Sequence, residues 1–359
     1  MEELYAVILA GGRGTRFWPV SRRKRPKQLI DITGRGSMLR LTYERLARMV
    51  PPERMILLTT EELRDSISEE LPEIGDSNIF TEPMGRNTGP ALAVASAYVR
   101  HKGGDAPMLC CPADHLIGDE KEFRELIEAA AEMAVQRDIL VTFGIEPDNP
   151  ATGYGYIEAG EKAGEKRGRS FYEVERFHEK PDLGMARSYL EKRNFYWNSG
   201  IFVWRPSIFL QAWEQYVPES VESLNDISRS FGTESMADTV ASLYGGFPSI
   251  SVDYAVLEKA ENVLVAPAVL EWSDVGSWDA LYGVIPGDGS ENIGVGYTKR
   301  LDSEGSLLYN PEGTTVLIGV EDVIVVVDGS DVLVCKRGHS QKVRAILEEI
   351  EKDGRTDLL

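Results

Sequence analysis

The sequence predicts an α/β fold built on an open sheet, followed by a small β unit and a terminal helix. The first observation is that four short apolar runs in the first half alternate with helical patterns, as in strands separated by helices. The second is that these runs are continuously apolar, which is typical of strands covered on both faces. The third is a change near residue 286, after which short strands and turn signals follow one another.

The apolar runs define the first part of the sheet. They are Leu4–Leu9, Met55–Thr60, Pro107–Cys111 and Ile139–Ile145. Apolar residues recur at helical spacing over Phe123–Ala134 and predict an amphipathic helix between the last two runs. After about residue 150 the pattern changes to mixed strands and loops, which we expect to be inserted in the same domain.

The C-terminal region is predicted to be a small β unit that ends in a helix. Its expected strands are Val316–Val320, Val323–Asp328 and Asp331–Cys335. An apolar stripe over Val343–Ile350 predicts the helix, and Ser340 is expected to cap it. We therefore expect one domain over residues 1–285 and a second over residues 286–359.

The balance of charges limits the classes of function. The chain has 359 residues, with 39 Lys or Arg against 58 Asp or Glu and a formal net charge of −19. Binding to nucleic acid or to an anionic membrane needs a basic face, so we expect neither partner. The three cysteines do not form a disulfide framework, and no signal peptide or membrane-spanning run is evident. We expect a cytoplasmic protein.

A loop rich in glycine follows the first strand. This glycine loop, residues 10–16, reads Ala10-Gly11-Gly12-Arg13-Gly14-Thr15-Arg16. Glycines let the backbone approach a ligand closely, and successive N–H groups can form an anion nest. The spacing is neither that of a Walker A loop nor GxGxxG. Residues 13–27 hold seven Lys or Arg and no acid, which favours a polyphosphate site over a solvated basic loop.

Residues 9–29 resemble the signature of sugar-nucleotide nucleotidylyltransferases, and among them that of GDP-mannose pyrophosphorylases (mannose-1-phosphate guanylyltransferases); they read LAGGRGTRFWPVSRRKRPKQL. Further similar motifs follow in order: Glu82-Pro83, Arg86-Asn87-Thr88, Pro112–His115, Gly144–Ile157, Glu179-Lys180-Pro181, Trp197–Phe202, Ser251–Ala255 and Trp272–Trp278. Each motif alone is weak, and their order and coverage carry the assignment. The resemblance implies a Rossmann-like open mixed sheet in the nucleotidyltransferase domain and a small left-handed β-helix-like unit after it.

The resemblance implies that GTP and mannose 1-phosphate react to give GDP-mannose and pyrophosphate. An oxygen of the sugar phosphate would attack the α-phosphorus of GTP in line. Because a phosphate monoester has a second pKa of about 6, this nucleophile is already mostly ionised at pH 7 and needs no general base. Positioning and electrostatic stabilisation are therefore expected to carry catalysis.

The resemblance also implies roles for individual residues. Those expected in catalysis are Arg16, Lys27, Asp114, Lys180 and Asp274. Of these, Asp114 and Asp274 would bind Mg²⁺, which accepts one or two carboxylates beside phosphate oxygens and waters. Nucleotide binding is expected from Gly11, Gly12, Arg13, Gly14, Thr15, Asn87 and Thr88. Sugar binding is expected from Gly153, Glu179, Asn198 and Asp253.

Two alternatives stay open. The chain could use another nucleoside triphosphate as a different hexose-1-phosphate nucleotidylyltransferase, or it could be a catalytically silent regulatory subunit that binds GDP-mannose. The presence of all five residues expected in catalysis favours an enzyme. The resemblance implies that the C-terminal unit takes part in assembly, and we expect a homodimer. Isomerase activity, which some relatives carry in an additional domain, is not expected.

Overall fold

The computed structural model describes residues 4–12, 14–285 and 291–359. Its strands are β1 (Tyr5–Leu9), β2 (Met55–Thr60), β3 (Ile79–Glu82), β4 (Met108–Pro112), β5 (Leu116–Ile117), β6 (Leu140–Ile145), β7 (Tyr156–Lys166), β8 (Arg169–His178), β9 (Phe195–Trp204), β10 (Val263–Ala268), β11 (Trp272–Ser273), β12 (Ile293–Leu301), β13 (Leu307–Ile318), β14 (Val323–Asp328) and β15 (Asp331–Lys336). Its α-helices are α1 (Met38–Ala47), α2 (Arg64–Glu70), α3 (Thr88–Gly103), α4 (Glu120–Gln136), α5 (Leu183–Glu191), α6 (Pro206–Tyr216), α7 (Val221–Ser230), α8 (Met236–Leu243) and α9 (Val343–Lys352).

The larger of two compact units contains residues 4–11, 43–113 and 117–272. Its sheet has nine strands in the order β3-β2-β1-β4-β9-β6-β10-β8-β7. Strands β1 to β4 pair in parallel, whereas β9 runs antiparallel to both β4 and β6. The predicted open mixed sheet is confirmed, and the four predicted strands of the first half lie within one residue of their expected places.

Burial of both faces explains why the first strands are continuously apolar. Val7, Cys110 and Leu140 are fully buried in one core with the aromatic side chains of Trp204 and Trp213. The adjacent thiols of Cys110 and Cys111 are free and buried, as expected for strand residues. The carboxyl ends of parallel strands meet at one edge of a sheet, where ligands commonly bind. Gly11 after β1 and Glu82 at the end of β3 lie at this edge.

The smaller unit contains residues 12–42, 114–116 and 273–359 within the described ranges. Its four strands lie in the order β12-β13-β14-β15, with the first two pairings parallel and the last antiparallel. Its core joins Phe17 of the N-terminal region to Trp278, Leu307 and Ile324. The predicted small β unit and terminal helix are confirmed, while the boundary that we placed at residue 286 lies outside the described residues.

The expected capping role of Ser340 is wrong. Ser340 lies in a short 3-10 helix before α9, and its hydroxyl exchanges hydrogen bonds with Asp279 instead of capping the helix. The helix begins without a side-chain cap, and of its apolar stripe Val343 and Leu347 are buried whereas Ile346 is half exposed. The described part of the chain contains no helix that is long and apolar enough to cross a membrane.

Candidate active site

Lys27 brings together two acidic residues that lie far apart in the sequence. Its ammonium Nζ lies 2.9 Å from Oδ2 of Asp114 and donates a hydrogen bond to the backbone carbonyl of Asp274. The Lys27 side chain is only 6% exposed, against 33% for that of Asp114. The structure therefore brings three of the five residues that we expected in catalysis into contact. We call Lys27, Asp114 and Asp274 the lysine cluster.

The ionisation of Asp114 follows from its cationic neighbours. Burial raises the pKa of its carboxyl group, but the Lys27 ammonium, His115 and hydrogen bonds outweigh burial and hold the pKa below the usual value for Asp. Asp114 is therefore ionised at neutral pH. The ionised Asp114 carboxylate offsets the electrostatic cost of burying the Lys27 ammonium.

Asp274 lies in a tight turn that fixes its backbone. The following residue, Val275, is fully buried at a positive φ of 44°, a conformation that β-branched residues rarely adopt. The carboxylate Oδ1 of Asp274 accepts a hydrogen bond of 3.1 Å from the backbone N–H of Gly276. The turn thereby presents the Asp274 carbonyl to Lys27, while the backbone N–H of Gly276 holds the Asp274 carboxylate.

The cations of residues 13–27 do not share one role. Arg22 and Arg23 form ion pairs with acids of the C-terminal region, Asp331 at 2.7 Å and Glu351 at 2.6 Å. The interpretation of the whole basic stretch as one polyphosphate site is thus too broad. Arg16 is exposed, and no ion pair links it to an acid within the described residues, whereas Arg13 lies outside those residues.

A second group of predicted residues surrounds Asn198 in the larger unit. Its amide nitrogen Nδ2 donates to Oδ1 of Asp253 at 2.9 Å, and its Oδ1 accepts from the hydroxyl of Thr142 at 3.0 Å. Glu179 accepts a hydrogen bond from the ammonium of Lys180. We call these residues the asparagine cluster; it contains Lys180 and three of the four residues expected to bind sugar.

The glycine that this cluster requires is Gly155. A Cβ at position 155 would lie 2.5 Å from Oε2 of Glu179, and the carbonyl of Gly155 accepts a 2.8 Å hydrogen bond from the backbone N–H of Asn198. Gly153, the glycine that we expected to bind sugar, has no atom within 4 Å of a Cβ built on it. Close approach of the backbone is thus needed at Gly155, and a role for Gly153 stays a prediction.

Asp253 begins a π-helical turn, Asp253–Leu257, a feature frequent at functional sites. Burial and the nearby charge of Glu179 raise the pKa of Asp253 to about 6, against the opposing effects of a backbone hydrogen bond, Ser251 and Lys180. Near neutral pH this carboxylate therefore lies close to its titration point and holds the Asn198 amide in one orientation.

Asn87 and Thr88 form the start of helix α3. Asn87 has a φ of 68° and accepts a hydrogen bond of 2.9 Å from the N–H of Thr88 through its own side chain. The hydroxyl of Thr88 accepts a 3.0 Å hydrogen bond from the backbone N–H of Val252, the residue before Asp253. Thr88 therefore ties the start of α3 to the segment that carries Asp253.

Glu82 is a candidate functional residue that our assignments from the sequence did not include. It ends strand β3, is 7% exposed and accepts a hydrogen bond from the hydroxyl of Tyr244. A Cβ at Gly11 would lie 3.4 Å from its Oε2, so the glycine loop begins beside this carboxylate. Burial, partly offset by the Tyr244 hydrogen bond, raises the pKa of Glu82 to about 7. The Glu82-Pro83 motif was the available signal in the sequence.

Comparison with protein families decides the class of this chain. A model described as nucleotidyl transferase matches residues 5–290. The chain belongs to the nucleotidyl transferase family. In this nucleotidyl transferase, residues 298–350 also match a model described as a MannoseP isomerase/GMP-like beta-helix domain. The family resemblance and the fold class that the sequence predicted are both confirmed.

Named relatives of this nucleotidyl transferase are similar over nearly its whole length. Xanthan biosynthesis protein XanB of Xanthomonas campestris pv. campestris (strain B100) is 39% identical over 362 residues, which cover 99% of this chain and 75% of that protein. A mannose-1-phosphate guanylyltransferase of Escherichia coli is 37% identical over 357 residues, with the same two coverages. The crystal structure of a mannose-1-phosphate geranyltransferase from Thermus thermophilus has a TM-score of 0.87 at 33% identity and covers 97% of this chain and 99% of its own.

Proposed function

We propose that this protein is a mannose-1-phosphate guanylyltransferase, which transfers GMP from GTP to mannose 1-phosphate and releases pyrophosphate. The observation that carries the proposal is the lysine cluster, whose Lys27 lies against Gly14 of the glycine loop, in a chain similar over 99% of its length to an E. coli protein of that name. The Thermus protein is named for a geranyl group. We favour transfer of a nucleotide over transfer of a geranyl group. Cations and backbone amides bind polyphosphate, whereas a prenyl chain needs an apolar surface.

We assign the triphosphate of GTP to the lysine cluster and the glycine loop. Arg16 supplies an exposed guanidinium, and the N–H groups of Gly11, Gly12 and Gly14 supply donors that cost no side-chain ordering. Lys27 supplies an ammonium already held in place, so it can stabilise charge that develops on the leaving pyrophosphate without reorganisation. One such preorganised donor is commonly worth about 10²- to 10³-fold in kcat.

Mg²⁺ fits the residues that the family resemblance implied for it. Within the described residues no group of three or more His, Cys, Asp or Glu could hold a metal by itself. Mg²⁺ needs only one or two carboxylates when phosphate oxygens and waters complete its shell, and the ionised Asp114 with Asp274 provides hard oxygen ligands of this kind. When bound there, the ion would neutralise negative charge on the phosphates.

We assign mannose 1-phosphate to the asparagine cluster. Lys180 would bind the sugar phosphate, while Glu179 and Asn198 would bind sugar hydroxyls. Asp253 and Thr142 support this assignment because they fix which end of the Asn198 amide donates and which accepts. The attacking oxygen carries no proton to remove, so these residues act by orientation.

We assign the base to Glu82. Guanine presents two neighbouring donors, N1–H and the N2 amino group, and a carboxylate can accept both hydrogen bonds. Uracil and thymine present one N–H between two carbonyls, which the same carboxylate would repel. The burial of Glu82 supports this role because a hydrogen bond to a desolvated charged group discriminates strongly. We also propose that the protein is cytoplasmic and forms a homodimer; the molecular mass measured in solution tests the homodimer.

The proposal is tested by incubating the protein with mannose 1-phosphate, Mg²⁺ and GTP, ATP, UTP or dTTP in turn, and measuring pyrophosphate release. We expect GTP to give the largest kcat/KM and the sugar product to be GDP-mannose. Preferred turnover of UTP or dTTP would establish a different hexose-1-phosphate nucleotidylyltransferase. Tight GDP-mannose binding without turnover of any nucleotide would establish the regulatory alternative. Glucose 1-phosphate serves as the matched sugar control.

A further inference from the structure

The segment between Arg16 and Lys27 is attached to the C-terminal part of the smaller unit. Phe17 is buried in the core of that unit against the ring of Trp278, at a centroid distance of 4.9 Å. The indole N–H of Trp278 donates to the backbone carbonyl of Trp18 at 3.1 Å, and the indole N–H of Trp18 donates to the carbonyl of Leu358 at 2.8 Å. The N-terminal side of the segment is therefore held at two successive residues.

The C-terminal side of the segment is a tight hairpin over Arg22–Arg25. Two backbone hydrogen bonds, of 3.0 and 3.1 Å, join Arg22 and Arg25 in both directions. Arg25 is followed by the buried Pro26, with a φ of −69°, and then directly by Lys27. A displacement of the hairpin would therefore be transmitted to Lys27 over two residues.

One guanidinium links this hairpin to the C-terminal strands. Nη1 of Arg22 donates to the carbonyl of Pro19, and Nη2 donates to Oδ2 of Asp331 at 2.7 Å and lies 3.8 Å from Oδ2 of Asp328. Asp328 and Asp331 are opposite one another at the β14–β15 turn. Like charges at opposite strand positions repel, and Arg22 relieves that repulsion. The ion pair is partly buried, with side-chain exposures of 21% for Arg22 and 27% for Asp331.

Helix α9 packs against the short helix Thr15–Phe17, which contains Arg16. Glu351 at the end of α9 also forms an exposed ion pair with Arg23, which is worth little by itself. The contacts to the segment thus come from Trp278, from the β14–β15 turn, from α9 and from the residues after it.

We propose that Asp331 is a positioning residue for nucleotide binding, acting through Arg22 on the placement of Arg16 and Lys27. The C-terminal strands and helix then support GTP binding by positioning these two residues, in addition to any part in assembly. Breaking the Arg22–Asp331 pair should loosen the hairpin and weaken GTP binding, without affecting the sugar substrate. The inference rests on the proposed function, since GTP is the ligand whose binding is measured.

The test compares the variants Asp331→Asn and Arg22→Met with the wild-type enzyme in the GTP and mannose 1-phosphate reaction. We expect each to raise the KM for GTP about threefold to tenfold and to lower kcat by a smaller factor, because Lys27 also acts on the leaving pyrophosphate, while the KM for mannose 1-phosphate stays unchanged. The double variant should be no worse than either single one, because both remove the same interaction. Asp331→Glu should restore most of the loss, and Glu348→Gln, which breaks an exposed ion pair within α9, should change nothing.

Limited tryptic digestion gives a readout that does not depend on activity. Arg22, Arg23 and Lys24 offer cleavage sites in the hairpin, whereas the Arg25–Pro26 bond resists trypsin. Asp331→Asn should accelerate cleavage there at least threefold, because cleavage reports local opening (about 0.6 kcal/mol per factor of three). An unchanged KM for GTP in Asp331→Asn, with or without faster cleavage, overturns the inference. Equal rises in both KM values with a lower melting temperature overturn it as well. Absence of guanylyl transfer in the wild-type enzyme instead overturns the proposed function, while digestion still tests the attachment of the hairpin.

Discussion

A Cβ added to Gly14 would lie 2.3 Å from the Cβ of Lys27 and 2.8 Å from its backbone nitrogen. Gly14 also has a φ of 56°, which side chains disfavour. The backbone of the glycine loop and that of Lys27 are therefore in direct contact, and only glycine permits it. Gly12, two residues earlier, has no atom within 4 Å of such a Cβ. We expected the glycines of the loop to let the backbone approach a ligand closely. At Gly14 the backbone instead approaches Lys27 of the same protein.

We predict that Gly14→Ala reduces kcat/KM for GTP by at least about a hundredfold. The methyl group would displace Lys27 from Asp114 and Asp274, and a shift of about 1 Å in a catalytic group can cost this much. The melting temperature should fall as well, since the variant strains the backbone. The measurement is steady-state pyrophosphate release with varied GTP.

Gly75→Ala is the matched control, because Gly75 has a φ of −60° and open space around its Cβ position. It should leave both the turnover of GTP and the melting temperature unchanged. Wild-type kinetics in Gly14→Ala would show that Lys27 tolerates displacement and would contradict its assigned role.

Lys27→Met should lower kcat by about 10² to 10³ with little change in the KM for mannose 1-phosphate. Methionine fills a similar volume but removes the ammonium that we assign to the leaving pyrophosphate. Its loss also leaves the Asp114 carboxylate without its ion-pair partner.

Lys24→Met serves as the comparison for Lys27→Met because Lys24 is exposed in the same basic segment. Its effect on kcat should be less than about threefold, since an exposed charge is screened by solvent. Similar losses in both variants would indicate a general effect of positive charge and would refute a specific role for Lys27.

Glu82→Gln should reduce kcat/KM for GTP by about tenfold to a hundredfold and narrow the preference for GTP over UTP. Glutamine offers a donor where guanine also presents donors, and a charge-assisted hydrogen bond is worth about 1.5–3 kcal/mol. Since the pKa of Glu82 is raised to about 7, GTP binding to the wild-type enzyme should weaken as the pH falls below about 7.

The Glu82 assignment requires that this pH dependence vanish in Glu82→Gln. Glu62→Gln, a change of an exposed glutamate beyond the end of β2, should preserve both the preference and the pH profile. An unaltered ratio of GTP to UTP turnover in Glu82→Gln would place base recognition elsewhere.

Asp253→Asn should make the stability of the protein less dependent on pH between about 4 and 6. The pKa of Asp253 is raised to about 6 in the folded state, above the value of about 4 for Asp in an unfolded chain. The unfolded state therefore binds fewer protons in this window, so this residue lowers the free energy of unfolding as the pH rises. The variant should be more stable at pH 7 by about 1–3 kcal/mol.

Urea unfolding at pH 4, 5, 6 and 7 measures this effect. Asparagine keeps an acceptor for Asn198, so the fold of the cluster should persist. Asp65→Asn, at an exposed site in α2, should leave the pH dependence as it is in the wild-type protein. A parallel pH dependence for Asp253→Asn and the wild type would contradict the raised pKa.

The sequence was most informative where the signal is local. Continuous apolar runs predicted the strands β1, β2, β4 and β6, because burial on both faces imposes that pattern directly. The glycine loop was visible in the same way. The resemblance nominated Lys27, Asp114 and Asp274 separately, and only the fold shows that a single ammonium joins them.

Partners distant in the chain could not be read from local patterns. The hydroxyl that holds Glu82 belongs to Tyr244, 162 residues away. The acid that pairs with Arg22 is 309 residues away, so a count of positive charge could not separate attached cations from available ones. Likewise, Gly155 is identified by the position of Glu179, not by any feature that distinguishes it from Gly153 in sequence.

We assign Mg²⁺ binding to the carboxylates of Asp114 and Asp274, together with the phosphates of GTP. The most direct measurement is Mg²⁺-dependent pyrophosphate release from GTP and mannose 1-phosphate by Asp114→Asn and Asp274→Asn, with circular dichroism to verify the fold. We predict that each variant keeps the wild-type spectrum and loses Mg²⁺-dependent release. Undiminished release by both variants would contradict the assignment.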